Sequence, residues 1–248
     1  VNEYEDTKKR FERETAKHEM TILHDDGQYR HLRFMQPKTG SSCYWFDLIT
    51  VPHALIFRGD GESFVFSRTE DMFEFFRSGI YRDGSIHINP DYWAEKLTSN
   101  RDAATTFSEE RFGTLVAEQL AGAEAEYPGV TAEWAKQTAS DLAEYNLEYE
   151  EEAFRALYEF YFGQHVKVTC TCGDSEKNDY LSRLHAWEVQ HKKLPGKHEI
   201  KVDHVGGFSF QDIEARQAQD YDWWFLWACY GICWGIARYD AARKQVAA

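Results

Sequence analysis

Residues 43–77, CYWFDLITVPHALIFRGDGESFVFSRTEDMFEFFR, decide the fold. Residues 44–50 are rich in aromatic and β-branched side chains, 54–58 form a second apolar run and 63–67 a third, so the stretch reads as three short strands. Gly59-Asp60-Gly61 separates the last two runs. A short glycine-containing loop between apolar runs signals a hairpin, because glycine reaches positive φ without steric cost. Thr69 then stands where a helix N-cap is expected, with Glu70 and Asp71 in the positive first turn. Met72, Phe73, Phe75 and Phe76 give this helix a broad apolar face. The stretch is a meander capped by an aromatic helix; it is a folding nucleus and carries no reaction signature.

Upstream, residues 2–20 are charged on most faces, with Tyr4 and Phe11 as isolated apolar positions. They predict a helix that docks weakly, since it has no continuous apolar stripe. Residues 29–36 read as a strand. Downstream, Asn89-Pro90-Asp91 is a helix start, with asparagine at the N-cap, proline at the first helical position and an acid in the first turn. Thr106 and Glu109 have capping-box spacing. Residues 131–163 form the longest helical pattern, with Leu142, Tyr145, Tyr149, Ala153, Leu157 and Phe160 on one side. Residues 166–172 and 198–204 alternate as strands, and 179–190 carries a helical pattern. Residues 223–237 are uncharged, too short a run for the ~20 residues that span a bilayer, and predict a buried core helix. The expected architecture is α+β, an antiparallel meander sheet packed on helices with the long aromatic C-terminal helix in the core. Its expected organisation is an N-terminal helical arm over 1–28 and one α+β domain over 29–248, strand-rich over 29–89 and helix-rich over 90–248.

The 248 residues are 43% hydrophobic and 16% aromatic, enough for a real core. A net charge of −14 argues against a general nucleic-acid binder, which needs a basic face to displace counterions. It suits a soluble protein or one whose partner is basic. Cys43, Cys170, Cys172, Cys229 and Cys233 are odd in number and irregular in spacing, with no signal peptide ahead of them, so they are expected as thiols in a reducing cytoplasm.

The blocks YWFDLIT, GDGESFVFSRTEDMFEFFR, INPDYWAEKL and WACYGICWGIARYD, in this order, together resemble a group of uncharacterised proteins encoded by bacteriophages and prophages. The resemblance covers the meander, the short helix after it and the C-terminal helix; residues 98–205 carry much less of it. It implies a phage origin and an intracellular life in an infected bacterium. It brings no activity and no functional residue.

The segment 141–152 offers the first candidate site, because it holds six carboxylates and no basic residue. On one helix Asp141, Glu144, Glu148, Glu151 and Glu152 would lie at the ~5–6 Å pitch of i, i+3 and i+4 neighbours, a row able to imitate nucleic-acid phosphates and occupy a basic groove. The plain alternative is a solvated face. The expected function is therefore a phage accessory protein that binds and inhibits a host defence or nucleic-acid-handling protein through this acidic surface, with no direct contact to nucleic acid or membrane. Cys170-x-Cys172 is the second candidate, with His165 five residues before it. Structural zinc sites take four Cys or His ligands, and one of His185, His191, His198 and His204 would have to complete this one. For want of a recognisable second pair, no cofactor is expected. Cys229 and Cys233, one helical turn apart among aromatics, are expected in the core. The third candidate belongs to the alternative function, a metal-dependent enzyme acting on nucleic acid or nucleotides: Glu199, Lys201 and Asp203 share one face of a strand, without the further acid such sites need.

Overall fold

A computed structural model of the chain describes residues 4–37, 43–138, 145–163, 165–178, 187, 189–195 and 198–247. The chain forms two compact units, residues 1–106 with 220–248, and residues 107–219. The boundary that the sequence suggested at residues 28 and 29 falls inside the first unit.

The first unit is built on a six-stranded antiparallel meander, β1 (Glu19–Asp26), β2 (Tyr29–Met35), β3 (Phe46–Val51), β4 (Ala54–Gly59), β5 (Phe64–Phe66) and β6 (Leu97–Ser99), each paired with the next. β3 and β4 are joined by Pro52-His53, with Val51 paired to Ala54 and His53 at φ 67°, the positive-φ position a tight two-residue turn demands. Alternation puts Leu32, Phe34, Phe46, Leu48, Leu55 and Phe57 on one face, all fully buried. The opposite face carries Arg33, Asp47 and Arg58 in one cross-strand row. Asp47 is fully buried beneath them, taking two hydrogen bonds from Arg33 at 2.8 and 2.9 Å and one from His31 at 3.0 Å. The two guanidinium groups also lie 5.1 and 5.5 Å from the Trp45 ring.

The buried face is covered by the C-terminal helix α7 (Trp223–Ala247), numbered after α1 (Glu5–Thr15), α2 (Met72–Arg77), α3 (Pro90–Ala94), α4 (Glu109–Ala123), α5 (Val130–Thr138) and α6 (Glu150–Glu159). No helix among the described residues is long and apolar enough to cross a membrane. Trp227, Cys229, Tyr230, Ile232, Cys233 and Ile236 of α7 are buried, and Trp234 is half-buried under Arg238. The absence of a side chain at Gly235 lets the helix come this close, because a Cβ there would lie 2.7 Å from Leu48 and 3.0 Å from Phe34.

Three local expectations are corrected. The α1 helix is docked firmly rather than weakly: Phe11, 1% exposed, inserts among Trp227, Tyr230 and Trp234, Thr15 is buried one turn on, and Trp227 donates to Glu14 at 2.9 Å. A single large ring does here what a continuous stripe does elsewhere. The cap of α2 is Asp71, not Thr69; its carboxylate accepts the Phe73 N–H and also a forked pair of bonds from Arg30. The cap of α4 is Ser108, not Thr106. Asn89 caps α3 as read.

The second unit has its own apolar cluster, built from Phe112, Val116 and Leu120 of α4, Val130 and Trp134 of α5, Phe154 and Leu157 of α6, and Phe160, Phe210 and Ile213. Its sheet is small: β8 (His165–Cys170), β9 (Ser175–Asn178) and β10 (Ile200–Val205), with β8 in the centre and both pairings antiparallel. Two further short strands, β7 (Thr105–Phe107) and β11 (Gln219–Tyr221), lie where the chain passes from one unit to the other.

Candidate functional site

The acidic segment is not one helix. The pattern predicted over 131–163 divides into α5 and α6, and residues 145–149 between them are non-helical. Asp141 and Glu144 lie outside the described residues. Glu148 is exposed in a turn, its N–H held by Asn146 Oδ1 at 3.0 Å. Glu151 and Glu152 are in the first turn of α6, where the helix dipole favours acids, and the Glu152 carboxylate is occupied by the Asn146 N–H. Among the described acids the regular helical row is therefore absent. Ala153, Phe154, Ala156 and Leu157 bury one side of α6. The exposed side presents Glu151, Arg155, Tyr158 and Glu159, with Glu151 and Tyr158 in line two turns apart. Tyr149 precedes the helix and Tyr161 follows it. These three tyrosines are 58–65% exposed, and along α6 itself the mixed set Glu151, Arg155, Tyr158 and Glu159 takes the place of the expected row of carboxylates.

The sulfur pair does not share one strand, as the alternation over 166–172 suggested. β8 ends at Cys170, and the chain reverses through Thr171-Cys172-Gly173, with Gly173 at φ 101°. The reversal is closed by Cys170 N–H to the Asp174 carbonyl at 2.8 Å and Gly173 N–H to the Cys170 carbonyl at 2.9 Å. Cys170 thus sits at the strand end, buried, and Cys172 at the hairpin tip, exposed. The pairing of β10 with β8 sets Ile200 opposite Cys170, and the Thr171 N–H reaches the Glu199 carbonyl at 3.0 Å, which brings residue 198 alongside the tip. His198 Nδ1 lies 3.2 Å from Cys170 Sγ, and His191 Nε2 lies 3.1 Å from Cys172 Sγ. The four donor atoms of Cys170, Cys172, His191 and His198 are all within 4.8 Å of one another.

Both imidazoles are oriented from behind. His198 Nε2 donates to the Pro195 carbonyl at 3.3 Å, so Nδ1 is the ring nitrogen turned to the sulfurs. The His191 ring is stacked on Trp187 at 4.2 Å. Burial works to raise the Cys170 thiol, but the Cys172 N–H and His198 outweigh it and bring it down to about 7. Its hydrogen bond with Cys170 raises His198. His165, the third metal candidate from sequence, opens β8 at the end away from Cys170, five residues or roughly 16 Å along the strand. His185 lies outside the described residues, and His204 is within β10, paired with Val166.

Glu199 precedes β10 and is exposed, Lys201 and Asp203 lie on that strand, and Glu199 belongs to no group of metal-competent side chains among the described residues. Cys229 and Cys233 are fully buried in α7, as expected. Comparison of the chain with family models, curated proteins and solved structures finds no match.

Proposed function

We propose that this chain is a binding protein, a phage-encoded accessory factor that engages and inhibits a host protein with a basic surface through the exposed side of α6 and the turn before it. One observation carries the reading: Tyr149, Tyr158 and Tyr161 are 58–65% exposed, before, on and after a helix whose exposed side carries Glu151 and Glu159, with Glu148 in the turn before it. Tyrosine gives a large amphipathic contact area at low entropic cost and is enriched where proteins bind proteins. The surrounding carboxylates, on a chain of net charge −14, select a cationic partner and speed the encounter. Glu151 and Tyr158, in line on the same strip, would act together, the carboxylate steering and the ring filling a pocket.

The test uses the full chain as bait in a bacterial lysate, alongside Tyr158→Ala and the double variant Glu148→Gln/Glu151→Gln. The expected result is one dominant captured species that the parent holds more weakly as salt rises. The double variant should bind it with a slower on-rate, and Tyr158→Ala should release it faster. Equal capture of the same species by all three proteins at low and high salt removes this surface from consideration.

A further inference from the structure

We propose that Cys170, Cys172, His191 and His198 bind one zinc ion in a closed, structural site. The argument starts from the donor geometry. A tetrahedral zinc with Zn–S of ~2.3 Å and Zn–N of ~2.0–2.1 Å holds its ligands about 3.3–3.8 Å apart. The two sulfur–nitrogen separations, 3.1 and 3.2 Å, are close to that edge, and the other separations stay within 4.8 Å. Two thiolates and two imidazoles are the soft-to-borderline set zinc prefers, and four protein ligands leave no open position for substrate. The ion is therefore structural rather than catalytic.

The ligands converge from three places in the chain: the β8–β9 hairpin, the helical turn at His191 and the approach to β10. The outer contacts are those a metal site needs. The Pro195 carbonyl fixes the His198 tautomer and Trp187 fixes the plane of His191. In the β8–β10 sheet, Val168 and Cys170 are the described side chains that are buried, and neither joins either apolar cluster of the molecule. The sheet is only three short strands, and a zinc joining its hairpin tip to the segments on either side of the turn at Pro195 cross-links it.

The experiment is elemental analysis of the full-length protein purified without chelator, followed by cobalt substitution. The expected result is one zinc per chain retained through gel filtration. The cobalt form should show the visible absorption of a tetrahedral ion and a thiolate-to-cobalt charge-transfer band. Cys172→Ser and His198→Ala should each weaken zinc binding by more than ~100-fold, since loss of even an outer-shell partner costs 10–100-fold. Cys172 is exposed at a hairpin tip, so its replacement by serine removes a ligand without opening a cavity, and circular dichroism of that variant with excess zinc checks its fold. Well under one zinc per chain in the parent even after titration with zinc, zinc retained unchanged in both variants, or a Cys170–Cys172 disulfide in protein prepared under reducing conditions each overturns the proposal. Zinc content in the Glu148→Gln/Glu151→Gln variant should equal that of the parent, so this result stands or falls separately from the partner-binding reading.

Discussion

The meander of the first unit and the three-stranded sheet of the second are both antiparallel, yet they are held by different means. The first lies under a 25-residue helix whose aromatic side chains fill its inner face; Phe34, Phe46 and Phe57 pack edge to face or stacked against one another and against Trp227 or Trp234. Its stability is distributed over many contacts and is paid mostly by apolar burial, at about 25 cal/mol per Å2. The second sheet concentrates its cross-links at one end, where four polar donors meet. A distributed core loses stability in increments as side chains are trimmed, whereas a point cross-link fails as a whole when any one ligand goes.

The sharpest way to break this contrast is at the sulfur pair. Cys172→Ser, or the parent treated with a chelator, should unfold the β8–β10 region and leave the first unit folded. Apparent zinc-binding energies of ~10–16 kcal/mol in small zinc peptides make this the largest effect expected. Amide exchange checks it: residues 165–178 and 198–205 should lose protection while β2–β4 keep theirs. Uniform protection loss across both regions would mean that the two units share one stabilising core after all.

Next in size is Trp227→Ala, which removes a fully buried ring and should cost ~3–5 kcal/mol in denaturant unfolding of the first unit. Trp234→Ala should cost less, because Trp234 is only half-buried. Equal losses would show that exposure does not rank the positions of α7. Gly235→Ala tests the close approach of helix to sheet; its Cβ must displace Leu48 and Phe34, and the expected loss is ~1–3 kcal/mol. No loss would mean that the two side chains relax freely and the packing there is loose.

Asp47 supports a smaller and pH-dependent prediction. Burial tends to raise this carboxyl, but Arg33 and His31 outweigh burial and hold it below the usual range. A carboxylate depressed in the folded state contributes stability that is present above the unfolded value of ~3.9 and is lost as pH falls through the lower folded value. Asp47→Asn should therefore cost ~1–2 kcal/mol near neutral pH, and the gap between variant and parent should close in acid, measured as the difference in unfolding midpoints. A gap that stays constant with pH would assign the effect to packing instead of charge. The smallest effect belongs to Glu148→Gln/Glu151→Gln, which should leave stability within ~0.5 kcal/mol, because both side chains stand at the surface. A larger change would show that these acids serve the fold, and would weaken the case for them as a contact surface.

How far each region could be read from sequence follows from the same contrast. Strands β2 to β5, helix α3 with the Asn89 cap and the burial of Cys229 and Cys233 were legible because apolar periodicity and cap residues act over a few neighbouring positions. β1 was missed because it is an edge strand, mostly exposed, so the alternation that marks a half-buried strand is absent. The break at 145–149 was missed because Leu142, Tyr145, Tyr149 and Ala153 keep helical spacing across it; Tyr145 is buried from a non-helical position. The Cys170 and Cys172 pair is legible in the sequence, but its histidine partners are not. His191 and His198 are nineteen and twenty-six residues beyond Cys172, among ten histidines; the pairing of β10 with β8 selects His198, and His191 arrives from a separate helical turn. The available clue was that His198 directly precedes a strand able to pair with the one bearing the cysteines.

The depth of Cys229 and Cys233 has a consequence for kinetics. Both are fully enclosed, and burial raises both thiols well above their ordinary range, so neither presents a reactive thiolate in the native molecule. An alkylating reagent can reach them only during an opening that lifts α7 from the meander. The slow modification of these two thiols is thus a clock for that opening, read by intact-mass spectrometry without any introduced label. Cys43, exposed near the start of β3, reacts without waiting and marks time zero on the same chain.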